Sequence, residues 1–166
     1  QICLPHYLRF HEQAKENLLN EAGRQSFEDL VARGQAEWKK VINQIEVEGG
    51  TDAQKRTFYT SLYRTYERMI DINEYGQYYS GFDGKVHSSE RSFYVDDWIW
   101  DSYRVHHPLR TILDPRRESD MLNSYTVMYE QSGWMPTFPQ VHGNHMCMNS
   151  YHSSAIFIDA YRKGIL

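Results

Sequence analysis

The sequence predicts a mainly α fold, and three observations carry it. Apolar residues recur at helical spacing over 27–45, 58–69 and 121–129. Helix punctuation brackets these stretches: Ser26 with Asp29, Thr51 with Gln54, and Asp114-Pro115 closing on Gly133. The main departure is "EYGQYYSGFDGKVHSSERSFYV", where glycines interleave with tyrosines and polar residues. That stretch reads as hairpins or an ordered loop.

Residues 1–10 hold Ile2, Leu4, Tyr7 and Leu8 around Pro5 and read as a short extended segment. "HEQAKENLLNEAG" is helical in composition and stops at Gly23. The next helix opens at Ser26. It sets Phe27, Leu30, Val31, Trp38, Val41, Ile42 and Ile45 on one face and ends at Gly49-Gly50. A third follows Thr51, with Phe58, Leu62, Tyr66 and Met69 as its apolar face, widened by Tyr59, Tyr63 and Ile70. Phe82-Asp83-Gly84 carries a turn signal. Residues 98–107 read as helix, ended by Pro108, because the residue before a proline is pushed out of the α region. Asp114 suits an N-cap and Pro115 the first helical position of a helix whose face is Met121, Leu122, Tyr125, Met128 and Tyr129. "GWMPTFPQVHGNHMCMN" is loop, and 150–163 is the last helix, closed by Gly164. Five or six amphipathic helices result, each with an apolar face that another element must cover.

A chain of 166 residues is one domain or part of one. Its 18 basic and 22 acidic residues leave a charge of −4, with no basic stripe, so a nucleic-acid partner is not expected. No apolar run approaches membrane length. The start at Gln1, without a signal segment, suggests a mature piece or an excerpt. Cys3 and Cys147 are too few for a disulfide scaffold and read as two free, buried thiols. The 13 tyrosines and 4 tryptophans suit cores, and also sites that stack on a ligand while hydrogen-bonding at the rim.

"DDWIWDSYRVHHPL", residues 96–109, concentrates chemically capable side chains. On a helix, Asp97, Asp101 and Arg104 fall at spacings of four and three and share one face, while Trp98 and Trp100 point to different sides. Two readings stand. The commoner case is a surface ion pair between Asp101 and Arg104 with one Trp in the core. The other is a sugar subsite, in which carboxylate and guanidinium bind vicinal hydroxyls and an indole covers the apolar ring face. Asp96 and Asp97 are adjacent and diverge, so they do not form an acid–base pair. His142, His145 and His152, with Cys147 among them, lack zinc-site spacing and read better as pocket-lining residues.

Several segments, in one order along the chain, resemble the catalytic domain of the family 92 glycoside hydrolases, calcium-dependent exo-acting α-mannosidases. They are "EQAKENLLNE", "FYTSLYR" at 58–64, "YYSGFDGKV", "WDSYRVHHPL" and "CMNSYHSSAIFIDAYRKGI". His145, Met146 and Ser150 depart from the family pattern. The resemblance implies an (α/α)6 toroid with hairpin and loop insertions. Residues 1–25 would be an opening segment and linker helix, and 26–166 the first part of the toroid. The implied reaction is inverting hydrolysis of terminal α-mannosides, with calcium in the sugar site and its ligands mostly outside this chain. Trp100, Asp101, Arg104 and His152 are the substrate-binding residues it implies, and no catalytic residue is carried over. The expected partners are a mannose-containing glycan and the remainder of the same toroid, in an extracellular or periplasmic setting. The alternatives are a non-catalytic carbohydrate-binding relative, another toroid glycosidase, or a purely structural helical domain.

Overall fold

The computed structural model describes residues 4–148 and 151–166. The mainly α expectation holds. The chain forms two compact units, residues 1–51 and 52–166, each considered by itself.

The first unit carries α1 (Leu4–Glu21) and α2 (Phe27–Ile42). The extended segment expected over 1–10 is instead helical from Leu4. Pro5 lies in the first turn, where its missing N–H has no intrahelical acceptor to serve. Helix α2 starts as its sequence predicts. Ser26 Oγ accepts from the Asp29 N–H (3.1 Å), and the Asp29 carboxylate accepts from the Ser26 N–H (3.3 Å). It ends earlier than expected, at Asn43, whose N–H reaches back to the Lys39 carbonyl (3.0 Å) while the Gln44 N–H reaches the Val41 carbonyl (3.3 Å). Asn competes well for such a turn, which leaves Ile45 outside the helix.

The second unit begins with α3 (Asp52–Arg64). Of its predicted face, Leu62, Tyr66 and Met69 are buried, the last two beyond the helix end, while Phe58, Tyr63 and Ile70 remain partly open. Strand β1 (Ile70–Asp71) pairs antiparallel with β4 (Tyr94–Val95). Between them lies the expected hairpin, β2 (Gln77–Ser80) against β3 (Lys85–Ser88), in register Ser80↔Lys85. Its turn carries Gly84 at φ 70, where glycine costs nothing.

The single helix expected over 98–107 is two helices. Helix α4 (Ile99–Ser102) stops after one turn, and α5 (His106–Leu113) follows a reversal at Val105 with φ 82. Pro108 does not end a helix; it sits in the first turn of α5, a position a proline tolerates. Helix α6 (Pro115–Ser132) follows its predicted boundaries. Asp114 Oδ1 accepts from the Arg117 N–H (3.2 Å), and Gly133 closes the helix at φ 79. Met121, Leu122, Tyr125 and Met128 are buried, but Tyr129 is half exposed and lies off that stripe. The expected loop after it holds a small hairpin, β5 (Pro139–Gln140) against β6 (Gly143–Asn144). Helix α7 (His152–Arg162) closes the unit, with Gly164 beyond it at φ 71.

The core lies where α6, β4, α4 and α7 meet: Met69, Phe93, Val95, Ile99, Met121, Leu122, Tyr125, Met128, Ile156 and Ala160. Removing this surface from water is the main driving force, at roughly 25 cal/mol per Å². Cys147 does not follow the expectation of burial. It is free and exposed, carried on a loop with no core to enter, and Cys3 lies outside the described residues.

Candidate functional site

The segment 96–102 sends its side chains to three different places. Asp96, at φ 64, turns its carboxylate outward, where it accepts from Arg68 Nη1 (3.2 Å) and Gln140 Nε2 (3.1 Å). Arg68 also lies over the Trp98 ring, 3.9 Å from its centroid, and Trp98 meets Phe138 edge-on at 5.7 Å. Asp97 turns inward and is 1% exposed. Trp100 and Asp101, on α4, turn to the surface. The expected common face of Asp97, Asp101 and Arg104 therefore does not form, because Asp97 precedes the helix and Arg104 follows it.

Trp100 and Asp101 are exposed, and so is Arg104. No ion pair joins Asp101 to Arg104 among the described residues. Arg104 instead donates from Nε to the Tyr103 hydroxyl (2.8 Å). His152 does come to Trp100: the rings meet edge-on at 4.7 Å, and Tyr103 lies 4.2 Å away on the imidazole. His152 Nδ1 is buried with no hydrogen-bond partner among the described residues. So α4 and the first turn of α7 bring Trp100 and His152 together, with Asp101 beside Trp100 in the chain. His142 is exposed on the β5–β6 loop, His145 is exposed just beyond β6, and Ser150 lies outside the described residues.

Beneath this surface is a charged network that the sequence did not announce. His107, 2% exposed, points Nδ1 at Glu118 Oε1 (2.9 Å) and Nε2 at Asp97 Oδ2 (3.2 Å). The same Asp97 oxygen accepts from Ser102 Oγ (2.9 Å) and from the Tyr125 hydroxyl. Burial alone would strip the proton from His107. Hydrogen bonds to Asp97 and Glu118, and their charges, overcome it and push His107 up to about 10, so the ring is an imidazolium donating from both nitrogens. For Asp97, burial opposes ionisation, yet the His107 bond and charge and the Tyr125 and Ser102 hydroxyls hold its carboxyl below the ordinary range. Tyr125 goes the other way, raised by burial and by the Asp97 charge, so it stays a donor.

His106 next door is neutral. Burial, then the charges of His107 and Arg110, lower it to about 4. Its Nε2 donates to the Thr65 carbonyl (2.6 Å), which also accepts from Arg110 Nη2. A usable signal for this network existed. Glu118 lies on the α6 stripe that continues through Leu122 and Tyr125, and a carboxylate on a core stripe requires a buried partner.

These residues do not make a calcium cage. No three His, Cys, Asp or Glu among the described residues come together as a metal site. The buried carboxylates of Asp97 and Glu118 are spent on His107. Among the described residues, no helix is long and apolar enough to cross a membrane.

The sequence profile of the glycosyl hydrolase family 92 catalytic domain matches residues 13–166. Solved structures agree. A family GH92 inverting mannosidase from Bacteroides thetaiotaomicron VPI-5482 is 35% identical with a TM-score of 0.83, over 93% of this chain and 21% of that one. A family GH92 alpha-mannosidase from Bacteroides thetaiotaomicron, in complex with mannoimidazole, is 25% identical with a TM-score of 0.87, over 93% of this chain and 20% of that one. Among curated proteins none matches. The chain is thus a segment of a carbohydrate-active catalytic domain, and it belongs to glycosyl hydrolase family 92. It spans about one fifth of the length of the solved relatives.

Proposed function

We propose that this chain is an arc of an (α/α)6 toroid in an α-mannosidase that removes terminal α-linked mannose from glycans with inversion. The observation that carries this reading is the 35% identity to an inverting mannosidase over 93% of the chain. Single displacement needs a carboxylic acid on the leaving oxygen and a carboxylate base, roughly 6.5–9.5 Å away, for a water on the opposite face. Asp97 and Glu118 are buried on His107 and do not serve, and the resemblance to the family assigns both groups to the rest of the domain. The resemblance assigns most calcium ligands there as well, and the described residues offer no cage of their own.

The contribution of this segment is part of the sugar-binding wall. The exposed Trp100 offers an apolar face to a pyranose, braced by His152, while Asp101 and Arg104 offer an acceptor and donors to its hydroxyls. A glycan substrate fits an enzyme working outside the cytoplasm.

The test is the full-length protein on an aryl α-mannoside, with the first-formed anomer followed by NMR. We expect β-mannose first, loss of turnover on chelation, and a fall in kcat/KM on the order of 100-fold for Asp101→Asn or Trp100→Ala. Mannoside binding without turnover would favour a non-catalytic carbohydrate-binding relative, the reading to which the departures at His145 and Ser150 point. Turnover of other glycosides alone would mark a different toroid glycosidase.

A further inference from the structure

The geometry points to Asp97 and Ser102, clamped by His107 and Tyr125, as positioning residues that hold Trp100 and Asp101 in their sugar-facing orientation. This rests on the sugar-wall reading above and deepens it.

Helix α4 is a single turn, too short to hold its own shape. Its two ends are tied to one atom. Asp97 lies two residues before Ile99, and its Oδ2 accepts from Ser102 Oγ at the last helical residue (2.9 Å). The exposed pair, Trp100 and Asp101, sits between these ties. That oxygen is in turn held by Tyr125 from α6 and by His107 Nε2 from α5 (3.2 Å), and His107 is anchored on its far side by Glu118 of α6 (2.9 Å). The Asp97 backbone joins a third element, donating its N–H to the Pro139 carbonyl (3.1 Å) on β5. The turn that brings α5 back to Asp97 places Val105 at φ 82, which a β-branched residue adopts only when its surroundings enforce it.

Every member of the clamp is 7% exposed or less, while Trp100 is 45% exposed. A rigid buried base therefore carries an open contact surface, and a small misplacement of a contact group can cost on the order of 100-fold in rate. Asp97 and Ser102 are themselves buried, so neither presents a group to a sugar directly.

The experiment uses the full-length protein and three variants, Ser102→Ala, Ser102→Thr and Tyr125→Phe. Each removes or keeps one hydroxyl without creating an unpaired charge. Kinetics on an aryl α-mannoside, affinity for mannoimidazole, thermal midpoint and amide exchange over 98–102 are read together. We expect Ser102→Ala and Tyr125→Phe to weaken mannoimidazole binding and lower kcat/KM by about 10- to 100-fold. Exchange over 98–102 should quicken, and Ser102→Thr, which keeps the donor, should restore both. Lower thermal midpoints with unchanged KM, kcat and exchange would overturn the proposal and leave the network a purely structural one. A wild-type protein that neither hydrolyses nor binds mannosides would sink the functional reading alone. Amide exchange would then still decide the clamp: exchange over 98–102 as slow in Ser102→Ala as in the wild type overturns it.

Discussion

At His107, burial and hydrogen bonding act in opposite directions, and the pH dependence of stability follows from which prevails. The ordinary histidine value of 6.5 rises to about 10 in the fold. Its contribution is therefore complete below about pH 6.5 and is lost as pH rises toward 10. His106 is lowered to about 4, so its contribution is present above about pH 6.5 and is lost as pH falls. Asp97, held below the ordinary carboxylate range, adds to the loss at still lower pH. The predicted result is a stability maximum near pH 6.5. The unfolding free energy from urea titrations between pH 5 and 9 should fall on both sides of it, by a few kcal/mol in total. In His107→Gln the alkaline limb should flatten while the acid limb remains. Near pH 6.5 that variant should also be less stable by about 3–5 kcal/mol, because it strands two buried carboxylates, and the gap should narrow as pH rises toward 9.

Elements whose rules are local were legible in the sequence, and those set by distant partners were not. The α2 capping box, the α6 boundaries at Asp114 and Gly133, and the β2–β3 turn all follow from neighbours within a few residues. The break between α4 and α5 does not. Residues 98–107 have helical composition, and only the pull of Asp97 on His107, with Tyr125 and Glu118 arriving from α6, makes a reversal at Val105 worthwhile. For the site, the resemblance named Trp100 and His152 from separate motifs and the fold brings their rings together, but the network beneath them needed the fold. Two predictions concern single elements. Ser26→Ala should destabilise α2 by about 1 kcal/mol, seen as faster amide exchange over 27–32, because no residue of that helix is buried to compensate. Gly81→Ala should cost about 1–3 kcal/mol. A Cβ there would stand 2.3 Å from the His142 carbonyl carbon, and backbone cannot step aside cheaply. Its thermal midpoint, compared with Gly84→Ala at the nearby turn, measures the clash.

On the scale of the whole chain, large apolar side chains stand open at several places on the described surface. Trp134, Met146, Tyr151 and Tyr161 are each more than 70% exposed. A shallow apolar groove between α6 and α7 is lined by Tyr129, Met135, Phe157 and Ile158. Single exposed apolar residues are ordinary, but Tyr129 and Ile158, both about half exposed on one apolar groove, mark a face that another surface covers. Expressed by itself, residues 1–166 should self-associate, with sedimentation that depends on concentration and binding of a hydrophobic dye. The corresponding face in the full-length protein should show neither. A segment that stays monomeric at high concentration and takes up no dye would count against a covering surface.

The sealed imidazolium has a spectroscopic consequence. Both ring protons of His107 sit between carboxylate oxygens, out of reach of solvent. Two proton resonances far downfield of the amide envelope should therefore persist at neutral pH, where a surface histidine's are erased by exchange. Their loss would announce that water had entered the interior before any change in circular dichroism.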